Sequence, residues 1–146
     1  MPTLTESLTD PSKKPAIVDD CCKLIDEEVA DKSGLSGLAI KAGYGAVKGV
    51  KPGFVRHVVE DLLPEFAKAL EPIHGEAVAQ SKSVSAHFTA NTARAADALL
   101  GITDAKAKHA KSAVVKGTYE KLRPTAKKHV EQAIPRLGKL IEKYAS

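Results

Sequence analysis

Two stretches of this chain, about 71 residues apart, carry the same pattern. Gly45–Pro52 reads GAVKGVKP and Gly117–Pro124 reads GTYEKLRP, both of the form Gly-x-apolar-x-x-apolar-basic-Pro. One residue out of step, Val59–Glu71 (VEDLLPEFAKALE) matches Val130–Glu142 (VEQAIPRLGKLIE), so Pro64 and Pro135 occupy equivalent places. Upstream, Asp26-x-x-Val29 corresponds to Asp97-x-x-Leu100. Amphipathic periodicity recurs between any two surface helices, but matched prolines and a matched glycine in register do not follow from it. Two copies are too few for an open solenoid, which needs neighbours on both sides. The repeat therefore predicts an all-α, closed helical bundle in one domain spanning 1–146. It would hold about six main helices, as two related three-helix halves (about 1–72 and 73–146) with pseudo-twofold symmetry.

The residues support helix throughout. Of 146 residues 22 are Ala, the best helix former, and no long β-branched alternation argues for a strand. The capping box Thr3-x-x-Glu6 opens a short helix over Leu4–Thr9. Pro15–Ala30 places Ile17, Val18, Cys21, Cys22, Ile25 and Val29 on one arc. Ser36 starts a third helix reaching Val50, apolar around most of its circumference, and this helix is expected at the centre together with its partner Asp104–Leu122. Leu38, Ala42, Gly45 and Gly49 form a narrow seam on it, where small residues admit another helix closely. Gly53–Glu71 carries Val55, Val59, Leu62, Phe66 and Leu70 inward and Pro64 outward, predicting a kink or short break. Pro72–Asn91 has few large apolar residues and is expected to be helical in pieces and partly exposed. Helices over Ser85–Leu100, Asp104–Leu122 and Pro124–Tyr144 complete the chain, the last with a stripe of Val130, Ile134, Leu137, Ile141 and Tyr144.

Several function classes find no support. The best apolar run is interrupted by Lys41 and Lys48, so no membrane span is expected, and the polar first residues lack the apolar core of a signal peptide. Adjacent Cys21 and Cys22 cannot staple distant parts of a fold and lack CxxC spacing; they read as small buried hydrophobes in a reducing, cytoplasmic compartment. The glycines of Gly34–Gly49 follow no strand and precede no Gly-Lys-Ser/Thr, so they read as helix packing rather than a phosphate loop. His57, His74, His87, His109 and His129 form no HxxxH or HExxH pair, and His57 and His129 fall outside their helices' apolar arcs, where solvent is expected. No catalytic constellation, metal site or cofactor motif is readable, and a non-enzyme is expected.

Charge is unevenly divided. Residues 1–72 carry 9 basic and 12 acidic side chains, residues 73–146 carry 13 basic and 6 acidic. Lys116, Lys121, Arg123, Lys127, Lys128 and Arg136 are the candidate anion-binding surface, for nucleic acid or an anionic surface. Against nucleic acid stand the absence of any helix-turn-helix, RNP or zinc-finger pattern and an aromatic content of 4%. Two further readings follow from the repeat: a homodimer joined by the unlike charges of the halves, and an apolar cavity between the halves for a lipid-like ligand.

The segments DKSGLSG, AIKAGYGAVKGVKP and IPRLGKLIEKYA resemble a functionally uncharacterised family of small all-helical bacterial proteins of about this length. The resemblance covers nearly the whole chain and implies no activity or site residue. The reading of the residues is a non-enzymatic helical interaction or scaffold protein, with a protein partner or a second copy as its target.

Overall fold

A computed structural model describes residues 3–145; Met1, Pro2 and Ser146 lie outside the described residues. Seven helices follow one another, with no strand among the described residues: α1 (Leu4–Leu8), α2 (Lys14–Asp31), α3 (Gly34–Lys48), α4 (Phe54–Ala79), α5 (Val84–Ala90), α6 (Thr92–Lys108) and α7 (Ala113–Ala145). They pack as an all-α bundle around α4 and α7. At a rise of about 1.5 Å per residue α7 is roughly 50 Å long, and α5, α6 and α3 lie along it while α4 packs on α1, α2, α5 and α6.

The expected capping box forms. Thr3 Oγ1 accepts from the Glu6 amide at 3.1 Å and Glu6 Oε1 accepts from the Thr3 amide at 3.4 Å. A helix of five residues does not hold itself in water; burial of Leu4 and Leu8 does that here, with Glu71 of α4 accepting from the Leu4 amide at 2.9 Å and the Thr5 amide at 3.2 Å.

Leu63, Ala67 and Leu70 of α4 are buried, and so are Ile134, Gly138 and Ile141, their equivalents in α7. Between these faces sit Ile73, Ala95 and the fully buried Phe88. Gly138 sets how closely α5 meets α7: a Cβ there would stand 3.1 Å from Phe88 Cβ and 3.3 Å from the Ser85 backbone.

Three expectations are corrected. The junction between the equivalents of α3 and α4 is unbroken in the second half, so Asp104–Leu122 and Pro124–Tyr144 are not two helices; α6 ends at Lys108 and α7 runs straight through Pro124. In the first half the same junction turns at Val50–Gly53, with Gly49 ending α3 and Gly53 at φ +72°. Lys121 and Thr125 stand at those two glycine positions in the second half, so a turn needing positive φ is disfavoured there. Next, α4 has no break at Pro64 and continues through Pro72 to Ala79. Pro64 stands toward the outside, and Glu60, whose carbonyl loses its helical donor, is exposed to water. The stretch from Pro72 to Asn91 is helical in pieces and partly exposed, as expected, with α4 ending at Ala79 and α5 beginning at Val84, and it sends Ile73, His74, Ala77, Val84, His87 and Phe88 into the core.

The last correction concerns the expected central helix. α3 is peripheral, with Gly37 its only buried residue among those described, and no residue of the stretch 104–122 is buried either. Seven of the fifteen residues of α3 are Ala or Gly, which bring little area to bury, and two of its larger apolar residues, Leu35 and Leu38, face outward, whereas the stripes of α4 and α7 turn Leu and Ile inward. It rests on the first part of α7 in the opposite sense, Gly43 against Leu122 and Thr118, where an added Cβ would meet side chains at 2.8 and 2.9 Å.

Candidate functional site

Two places offer chemistry. One is a cleft of about 380 Å³ where the end of α2, the start of α3 and the middle of α7 meet. Only Lys32 and Ser33 separate α2 from α3. The Lys32 side chain is 7% exposed, and its Nζ donates to Glu28 Oε2 at 3.1 Å, Gln132 Oε1 at 3.0 Å and the His129 carbonyl at 3.4 Å. Glu28, 13% exposed, has a second cation: Arg136 Nη1 donates to its Oε1 at 3.0 Å, while Arg136 Nη2 donates to Asp31. His129 lines the same cleft, 8% exposed, and its Nδ1 and Nε2 have no hydrogen-bond partner among the described residues. Burial, then Lys32 and Lys128, push its pKa below the ordinary imidazole value, opposed by the nearby Gln132 amide, which stands outside hydrogen-bond geometry with the ring. The expectation of a solvated His129 is thereby corrected: α3 and Lys32 cover it, an arrangement no helical wheel of α7 contains. His57 is exposed as expected.

The second place is the outward side of α3. Leu35 is 88% and Leu38 63% exposed. With Ala39, Ala42, Gly45 and Ala46 they make an uncharged stripe along one side of the helix, each of them exposed. The seam expected to admit a neighbouring helix therefore faces outward, and nothing in the chain stands within 4 Å of a Cβ placed on Gly45. The charges on α3 and the turn after it are all basic: Lys41, Lys48 and Lys51.

The six basic residues singled out from sequence do not form one surface. Arg123 is held by Asp104, its Nε and Nη2 donating at 2.8 and 3.0 Å, and Lys127 pairs with Asp97 at 3.1 Å. Arg136 is committed to α2. Lys128 opens on the cleft; Lys116 lies with Arg123 in a separate shallow groove between α6 and α7; Lys121 lines neither. Part of the unequal charge of the halves is paired within the chain: Arg136 to Glu28 and Asp31, Lys143 to Asp20 at 2.9 Å, Lys106 to Asp61 at 3.0 Å. The first cleft is lined by polar and charged residues alone, and the second, where Ala107, Tyr119 and Pro124 join Asp104, Lys108 and Arg123, lies between α6 and α7 within the second half rather than between the halves.

Cys21 and Cys22 are free and pack against the core. Burial, then Cys22 and Asp20, push the Cys21 thiol up to about 12, and burial raises Cys22 as well, so neither is an activated nucleophile. No helix among the described residues is long and apolar enough to cross a membrane.

Sequence reasoning passed over Lys32, Glu28 and Gln132. The i,i+4 spacing of Glu28 and Lys32 was readable, but their partners on α7 lie 97 to 108 positions away. A family model described as a family of unknown function, DUF6918, matches residues 4–145. No curated protein and no solved structure matches the chain.

Proposed function

The chain belongs to DUF6918, a family of unknown function, and on that footing we propose that it is a non-enzymatic interaction protein whose outward α3 face docks an acidic, amphipathic helix of a partner protein. The observation that carries this reading is the exposure of Leu35 and Leu38 on a helix whose whole outward stripe is uncharged. Isolated exposed leucines are ordinary, but a continuous apolar stripe is not a feature a monomer gains by leaving open. Gly45 supports it: a mid-helix glycine costs up to about 1 kcal/mol against alanine, and the empty space beside it leaves that cost without an intrachain return. A partner helix could approach closely there.

Charge selects the partner. Lys41, Lys48 and Lys51 border the stripe, so a helix with carboxylates beside its apolar seam is complementary. A second copy would bring the same lysines together, which disfavours the homodimer. Fully burying a leucine is worth about 2 kcal/mol, so the 63% of Leu38 still exposed represents about 1.3 kcal/mol, roughly tenfold in affinity.

The test is fluorescence anisotropy with a labelled synthetic helix carrying a leucine-alanine seam flanked by glutamates, beside a lysine-flanked version. Saturable binding of the acidic peptide is expected, weakened by salt, about tenfold weaker with Leu38→Ala and abolished by Leu38→Glu. Equal binding of both peptides, or indifference to Leu38→Glu, would overturn the reading. So would sedimentation showing α3 already covered by a second copy.

A further inference from the structure

The cleft at the start of α3 contains more free hydrogen-bond donors than its own residues satisfy. Its carboxylates are already neutralised: Glu28 by Lys32 and Arg136, Asp31 by Arg136. Lys32 has three acceptors for its three N–H groups. What remains is of one sign. Lys128 lines the cleft with no ion pair among the described residues. The 15-residue α3 begins there, has no acidic residue in its first turn, and is not capped by the Ser33 side chain. Ser33 and Ser36 line the same space. Below them lies His129, more than nine-tenths buried with both ring nitrogens unpartnered. Leaving a buried polar group unpaired is costly, and a bound acceptor would recover that cost.

We propose that this cleft is a binding site for the oxyanion of a small phosphorylated or carboxylated compound, seated between Lys128, His129, Ser33, Ser36 and the first turn of α3. Uncapped helix starts favour anions through their free N–H groups and dipole. The unpaired buried imidazole gives the place a second donor from another element. The volume, about 380 Å³, exceeds what inorganic phosphate needs and leaves room for an organic remainder. Glu28 and Asp31 line the cleft as well, and Lys32 and Arg136 act as positioning residues that offset their charge by ion pairing. This inference is independent of the docking face on α3.

The charged groups around the His129 ring are Glu28, Asp31 and Lys32 from the α2 end and Lys128 and Arg136 from α7, with none from the first turn of α3. Burial and the two lysines disfavour the imidazolium. An oxyanion beside the ring would favour it, so ligand binding raises the His129 pKa.

The experiment is an NMR pH titration of the His129 ring signal in the full-length protein, with and without inorganic phosphate. Saturable shifts at millimolar phosphate are expected, with the His129 pKa rising. Lys128→Gln, at an exposed position, should weaken binding several-fold without altering the thermal midpoint, and Ser36→Ala should weaken it further. Lys121→Gln should change nothing. Shifts that stay linear in phosphate, an unmoved His129 pKa, or binding unaffected by Lys128→Gln and Ser36→Ala would each overturn the proposal. A parallel sedimentation with phosphatidic acid vesicles separates the sources: pelleting that phosphate competes away assigns the oxyanion to a lipid headgroup, and saturation without pelleting assigns it to a soluble compound.

Discussion

Glu28 has two cations, and that redundancy makes a quantitative prediction. Replacing Lys32 with Met removes a charged hydrogen bond and leaves Gln132 and the His129 carbonyl without this donor, yet Arg136 still holds the other oxygen of Glu28. The loss should be about 2 kcal/mol, in the range of a hydrogen bond to a charged group and below the 3–5 kcal/mol of an uncompensated buried pair. Arg136→Met alone, at a partly exposed side chain, should cost about 1 kcal/mol because Lys32 remains. With both gone, Glu28 is a nearly buried carboxylate with no cation, and the double variant should lose about 5 kcal/mol rather than the 3 expected from adding the singles. Urea unfolding of the four proteins measures this directly, provided the slope is unchanged. Adding Glu28→Gln to the double variant should recover most of the excess, because the stranded charge is then gone. Additivity within about 0.5 kcal/mol would refute the reasoning and show that Lys32 and Arg136 serve Glu28 independently.

Two glycines should respond in opposite directions. Gly138→Ala forces apart α5 and α7 at Phe88 and the Ser85 backbone and should lower stability by about 1–3 kcal/mol. Gly45→Ala, facing open space within α3, should raise it by up to about 1 kcal/mol; denaturant midpoints check both, and the same sign for the pair would count against the packing described. Glu76 gives a pH signature. Arg94, donating to both oxygens at 2.7 Å, and then His87 at 3.0 Å hold its pKa down from an ordinary 4.5 to about 2. A depressed acid contributes stability above its unfolded value and loses it as pH falls, so the gap between the wild-type protein and Glu76→Gln should be constant above 4.5 and close between 4.5 and about 2. A gap that persists unchanged at pH 2, or that closes above 4.5, contradicts this.

Helix content, the α1 capping box and the faces of α2, α4 and the second part of α7 were legible because each is written locally, in caps and in apolar spacing of 3.6. The placement of α3 was not. Its circumference is apolar by composition, but composition does not reveal that Ala and Gly bring too little area to compete with Leu63, Leu70, Ile134 and Ile141 for the centre. The core role of Phe88 was hidden for the converse reason, since its neighbours are Ser, Thr, Ala and His, and the space it fills is made by the missing side chain of Gly138, 50 positions later. The unbroken α7 was within reach: the repeat paired Pro52 with Pro124, and comparing the flanking Gly49 and Gly53 with Lys121 and Thr125 distinguishes the turn from the continuous helix. The cleft was out of reach, because Lys32 and His129 meet only through tertiary packing.

Because carboxylates of α2 find their cations on α7, the first part of the chain depends on its last helix for part of its charge balance. Asp20 waits for Lys143 across 123 positions, and Glu28 waits for Arg136 across 108. During synthesis α2 leaves the ribosome before Lys143 and Arg136 have been made, so these two contacts close only when the last helix is complete.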